Sequence, residues 1–514
     1  MLRRHPLCGY VLLTCLLLPG SGQFAFSQTR PPQAINLSQI ETSIQQGRLD
    51  QVEKPLFDYA IAHPRDARAL GLLAQVRYQQ HRLEEAQALY QRVLALDPSL
   101  VKAKINLGQL MYELGQHDSA RVFLGGIAAT AALNVSERLA LARALVRVGE
   151  FQKALVEIDK LPAAVKSNHA LPIRAAGHQG LGERQRLIAL VPSIRRVAFS
   201  NPEVAAECAE IFESAGLSRE GMGLLRLALQ GAPNNFRLLV LLGQIETRVG
   251  DFAEARRHLN SAAKLKPNTA ENFFALGMLE SAEGNHEAAL SNLKRAAALA
   301  PDSPPILIQF IINAMRANQP QAAVDAANQL VQLKPDDPEV LYLFGAASLQ
   351  NGNLGSAQGA LERFRQQRPN DFRGCLALGI SFAGQPGKQQ QAKDQFEQCL
   401  KLDPANMEPV YQLGLIFKAE GESQKAIQMF EQVVTGASKH ANALRDLGAL
   451  YLQNGDPVKA RAVLERAVAL IPQDAETHFQ LSRVYNQIGE ATLARQHLGM
   501  FQKLKAEREK PSKP

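Results

Sequence analysis

Residues 441–474 read ANALRDLGALYLQNGDPVKARAVLERAVALIPQD. Before Gly455, the apolar residues Leu444, Leu447, Leu450 and Tyr451 recur at intervals of three and four, and after it Val463, Leu464, Ala467 and Val468 do the same. That period belongs to a helix and not to a strand. Gly455 suits the left-handed residue that closes a first helix, and Pro472 stops a second because it cannot donate into another turn. Gly448 lies in mid-helix, where glycine costs roughly 1 kcal/mol against alanine, so a close neighbour must forbid a side chain there. Ala460, twelve residues on, is the expected neighbour. The stretch is a helical hairpin, too small to bury either stripe alone, so its stability has to come from stacking on further copies.

Those copies are visible along the chain. Pro64, Pro98, Pro233, Pro267, Pro301, Pro335, Pro369, Pro404 and Pro472 fall close to one 34-residue grid. Gly108, Gly243, Gly277, Gly345, Gly379 and Gly414 repeat the position of Gly448, and Gly115, Gly149, Gly216, Gly250, Gly284, Gly352, Gly421 and Gly489 that of Gly455. The phase predicts an all-α fold, an α-solenoid superhelix of about fourteen helix-turn-helix units from roughly residue 33 to 505. The first unit (Ile40, Gly47, Val52, Leu56, Pro64) is worn, and Gly384-Gln385-Pro386-Gly387 holds one extra residue. Residues 163–202 have lost the phase, which predicts an irregular helical segment between repeats at 28–162 and 203–505.

The set Leu447, Gly448, Tyr451, Gly455, Ala460, Leu464, Ala467 and Pro472 resembles the tetratricopeptide repeat, of an exported bacterial type. The resemblance implies that the first helix of each unit lines a concave wall, exposing the second, fifth, sixth, ninth, twelfth and thirteenth positions. From 270 to 371 these include Phe274, Met278, Ile308, Ile312, Met315, Tyr342, Leu343 and Leu349. Such a strip is either a groove for a protein or peptide partner or is buried between neighbouring first helices. The same positions hold Glu203, Glu207, Glu210 and Glu213, like charges that disfavour one another by a few tenths of a kcal/mol each. Either the basic segment with Arg174, Arg184, Arg186, Arg195 and Arg196 offsets them, or they form an acidic shelf for a basic partner. Toward the C terminus the wall turns polar with Tyr411, Gln412, Lys418, Arg445, Asp446, Arg483 and Asn486, without the family's clamp for terminal carboxylates.

Residues 1–27 combine Arg3 and Arg4, an apolar run from Leu7 to Leu18 and the small-x-small site Ala25-Phe26-Ser27, the pattern of a cleaved signal peptide. Lipidation at Cys15 is the rival reading, disfavoured by Thr14 before it. Export to the periplasm or medium is therefore expected, with no membrane span in the mature chain. The net charge of +8, from 57 Lys and Arg against 49 Asp and Glu, is too dilute for a nucleic-acid partner. Past the leader only Cys208, Cys375 and Cys399 remain; Cys375 and Cys399 sit on opposite helices of one hairpin, where two buried thiols are the simpler reading and pairing the alternative. Residues 506–514 read as a disordered basic tail. His286-Glu287 lacks a second ligand histidine, since position 290 is Leu, and Gly387-Lys388 lacks the rest of a phosphate loop. No catalytic residue, metal or cofactor is expected, and the chain reads as a non-enzymatic scaffold binding polypeptides. An accessory role in envelope polysaccharide synthesis or export is the alternative, although the absence of tryptophan weakens direct sugar stacking.

Overall fold

A computed structural model describes residues 35–130, 133–166 and 168–509, so the expected leader lies outside the described residues. Among them are thirty helices and no strand. The chain divides at Ile194 into two compact units, Met1–Ile194 and Arg195–Pro514, and the division falls inside the segment expected to be irregular.

In the first unit four hairpins follow one another, starting with Leu37–Gln45 and Leu49–Ala62 and ending with Val135–Arg147 and Phe151–Asp159. Leu171–Gly180 packs on Phe151–Asp159 as a fifth first helix. Its partner is broken into Arg184–Ile188 and Val191–Ala198. Pro192 explains the break, because a proline there has no N–H to donate and its ring would meet the carbonyl of Ile188.

The second unit holds nine hairpins, from Pro202–Ser214 with Ser218–Gly231 to Ala475–Gln487 with Ala491–Glu509. Each helix packs against its hairpin partner and then against the next hairpin. From Pro202–Ser214 through Glu408–Ala419, each first helix also approaches the first helix that follows, so the first helices form a continuous wall. Side chains just after the proline turns begin these helices: Asn235 accepts from the Leu238 N–H at 3.2 Å, Asp371 from Arg373 at 2.9 Å and Asp474 from Thr477 at 3.2 Å.

Both recurrent glycines find their reasons here. Gly115, Gly250, Gly284, Gly352, Gly421 and Gly455 close first helices with φ between 77° and 87°. His81 and Asn318 occupy the same repeat position at φ 59° and 54° without glycine's freedom. At Gly448 a Cβ would lie 2.4 Å from Leu464 Cγ, and at Gly277 2.8 Å from Leu293 Cγ. The neighbour that excludes a side chain is thus the large residue sixteen positions on. The expected alanine contributes only its carbonyl, as Ala289 does at 3.3 Å from the Gly277 position.

Two further expectations are corrected. Cys375 and Cys399 form a disulfide between Phe372–Ala383 and Gln389–Leu402, with Cα atoms 5.7 Å apart, where buried thiols had been the simpler reading. Helix Ala491–Glu509 takes in residues 506–509 of the expected disordered tail, and 510–514 lie outside the described residues. No helix among the described residues is long and apolar enough to cross a membrane.

Candidate functional site

The wall of first helices in the second unit holds the apolar strip read from the sequence. Phe274, Met278, Ile308, Ile312, Met315, Tyr342, Leu343 and Leu349 are all half-buried. Ile308, Met315 and Leu343 lie against a core containing Leu307, Ile311 and Val340, and Tyr342 and Leu349 against one containing Leu378 and Phe382. Tyr342 is the least available, since the Arg373 guanidinium lies 4.8 Å from its ring centre and is held there by Glu339 and Asp371. Leu376, Ile380 and Leu415 continue the strip at the same repeat positions and are also half-buried. The sequence reading stopped at 371 and missed them.

Ion-paired groups close both ends of this strip. Arg237 donates to Glu203 at 2.6 Å and to Glu210 at 2.9 Å, and Arg248 lies 2.6 Å from Glu213. Cations that offset these acids come from the following first helix, Phe236–Val249. Glu207 makes no ion pair among the described residues. At the other end Asp446 is buried and accepts from Lys418 at 2.7 Å and from the Tyr411 hydroxyl at 3.0 Å. Burial and the Asp446 carboxylate push the Tyr411 hydroxyl well above its usual value.

The first unit contains a feature that the sequence reading passed over. A cavity of about 450 Å³ opens between the first helices of its first three hairpins and the second helix Leu83–Leu96. Leu72, Val93, Leu100 and Ala103 give it an apolar floor, and Gly71 faces it from mid-helix. Unlike Gly448, Gly71 has nothing within 4 Å of where a Cβ would stand. The fifth repeat position that it fills carries Ile105, Phe274, Ile308 and Tyr342 in other units, and that contrast was the available signal. Tyr90 is buried in the wall and its hydroxyl accepts from the Asn106 amide at 3.0 Å. Burial pushes this hydroxyl up to about 12, so it stays protonated. At the rim Arg68 and Lys102 both reach Glu41, at 3.4 and 3.2 Å, and hold its carboxyl below the usual range, Lys102 most strongly.

One group of side chains has the composition of a metal site: Glu246, Glu254 and His258 place ligand-type atoms within 4.8 Å of one another. Glu246 is fully buried, yet one oxygen accepts from Arg226 at 3.0 Å and the other lies 2.7 Å from His258 Nδ1. Both oxygens are therefore engaged, as in a buried ion-pair network.

Comparison with known families agrees with this architecture. One tetratricopeptide repeat model matches residues 77–137, 281–340, 314–377 and 417–478, a second matches 240–304 and a third 373–406. Together they cover more than half of the 514 residues. The chain belongs to the tetratricopeptide repeat family. Three solved structures are similar to this repeat protein. A tetratricopeptide repeat protein from Parabacteroides merdae is 18% identical, covering 49% of this chain and 99% of its own, with a TM-score of 0.44. The crystal structure of the APC/C hetero-tetramer Cut9-Hcn1 gives 14% identity over 89% and 95%, with a TM-score of 0.38. YrrB, described as a TPR protein with an unusual peptide-binding site, gives 15% over 36% and 95%, with a TM-score of 0.34. Among curated proteins no match is found. The tetratricopeptide repeat is a scaffold fold.

Proposed function

We propose that this protein is an exported, non-catalytic scaffold that holds protein or peptide partners against the wall of first helices in its second unit. One observation carries the reading: a line of half-buried apolar side chains from Phe274 to Leu415, bounded by the ion pairs of Arg237 at one end and Asp446 at the other. Half-buried side chains lose less freedom than fully exposed ones when a partner covers them, and methionines such as Met278 and Met315 adapt to varied shapes. The engaged charges at both ends favour an apolar partner segment over a basic one. Export is supported by the signal-peptide pattern of residues 1–27 and by the Cys375–Cys399 disulfide, a bond that persists in oxidising compartments.

Met278→Glu combined with Ile312→Glu tests the reading by placing two charges in the strip. Capture of polypeptide partners from a cell-envelope extract of the host should be lost, with helicity and melting temperature within error of wild type. Undiminished capture by the folded variant contradicts the reading, and capture of glycans instead of polypeptides favours the accessory role in polysaccharide export.

A further inference from the structure

We propose that the Cys375–Cys399 bond is a redox latch on the binding wall: closed, it completes the strip of first helices, and open, it lets one hairpin fray and interrupts that strip. The inference rests on the reading of the wall as the partner site and adds its regulation. Its first support is place. The bond joins Phe372–Ala383 to Gln389–Leu402, the hairpin whose first helix carries Leu376 and Ile380 in the strip. Leu378, Phe382 and Phe396 of this hairpin share one core with Leu361 before it and Leu413 after it, and Tyr342 and Leu349 of the strip pack against that core. Strip residues outside the hairpin therefore depend on its staying shut.

The second support is the hairpin's own weakness. Residues 384–388 separate its two helices, whereas residues 351–353 do so in the hairpin before it and 420–422 in the one after. Its first helix holds two glycines, Gly374 and Gly379, and each forfeits helix propensity. The side-chain oxygen of Gln395, in its second helix, is buried with no hydrogen-bond partner among the described residues, which disfavours the closed state. A hairpin in a stacked array is held by its own stability and by its neighbours, so the weakest one opens first. The one disulfide among the described residues falls in this hairpin, and by linking residues 24 apart it removes much of the open state's freedom. Closing the bond takes two protons and two electrons from the two thiols and passes them to a disulfide oxidant, which leaves as a dithiol. Oxidising compartments supply that class of oxidant and reducing ones do not, so the wall is completed after export. Both cysteines are buried, which shields the closed bond from exchange.

Hydrogen exchange read by mass spectrometry compares the oxidised full chain with the same chain reduced by a phosphine in denaturant and refolded without oxygen. Amides of Phe372–Ala383 and Gln389–Leu402 should exchange about a hundredfold faster in the reduced chain, while those of Ala270–Ala282 and His286–Leu299 should not change. Cys375→Ala with Cys399→Ala should exchange as the reduced chain does, with or without reductant. With the cell-envelope extract as the probe, this variant should capture polypeptides about tenfold or more weakly than the oxidised wild type. Equal exchange in the two redox states, or loss of helicity along the whole chain on reduction, overturns the latch. Undiminished capture by the double alanine variant, alongside lost capture by Met278→Glu with Ile312→Glu, overturns the latch and leaves the scaffold reading standing. No capture by any form, the oxidised wild type included, overturns that reading and the latch with it.

Discussion

Gly71 and Gly448 are both mid-helix glycines, and alanine at each should act in opposite directions. At Gly71 the new methyl meets open space, so Gly71→Ala should raise stability by roughly 1 kcal/mol through helix propensity. At Gly448 the methyl would overlap Leu464, and an overpacking cost of roughly 1–3 kcal/mol outweighs the same gain, so Gly448→Ala should lower the unfolding midpoint. Urea unfolding of the two variants measures both signs. Gly448 and its counterparts were plain in the sequence, because each repeats a backbone requirement. Their partners were not: periodicity gives the phase of a helix but not which facing side chain fills the gap, and Leu464 and Ala460 lie on the same stripe. Gly71 escaped notice for a related reason, since the sign of its role is a missing contact. For Glu203, Glu210 and Glu213 the sequence left open an offset by the preceding arginines or an acidic shelf, and neither reading named Arg237 and Arg248, which stacking brings onto them from the next copy.

Among the helices, the last hairpin has a pH-sensitive contact. His478 Nε2 donates to the Pro472 carbonyl at 3.0 Å, which leaves its Nδ1 to accept from His497 Nδ1 at 2.8 Å. Burial, followed by the nearness of His478, holds His497 below its usual value, against a smaller opposing pull from Glu465. A histidine whose folded value is depressed stabilises the fold above its unfolded value of 6.5, and that contribution is lost as pH falls through the folded value. Amide exchange in Ala491–Glu509 should therefore accelerate relative to the neighbouring hairpin as pH falls below 6.5, and His497→Phe should abolish the difference. Exchange that rises equally in both hairpins contradicts this assignment. Most helices were legible from stripe, glycine and proline together. The segment 163–202 was legible only as a loss of phase, because Pro192 splits a second helix whose other signals survive, including the left-handed Gly182. The Cys375–Cys399 bond could not be read with certainty, since two cysteines on facing helices fit a buried pair of thiols equally well.

For the molecule as a whole, each hairpin touches chiefly its neighbours, so stability is shared along each unit and function has to come from positions that vary between copies. The recurrent grammar of glycine, alanine and proline that made the architecture legible is for this reason uninformative about binding. What distinguishes this chain lies at the wall positions, where Phe274, Met278, Ile308 and Ile312 stand in one region and Arg237 or Asp446 in others. Site-specific photocrosslinking in the native host reads those positions in place. A photoreactive amino acid at Ile312, on the first-helix wall, should crosslink to a polypeptide partner, while the same probe at Asn328, exposed on the second helix Pro320–Leu333, should not. Equal crosslinking from both, or crosslinking from Asn328 alone, would contradict the account.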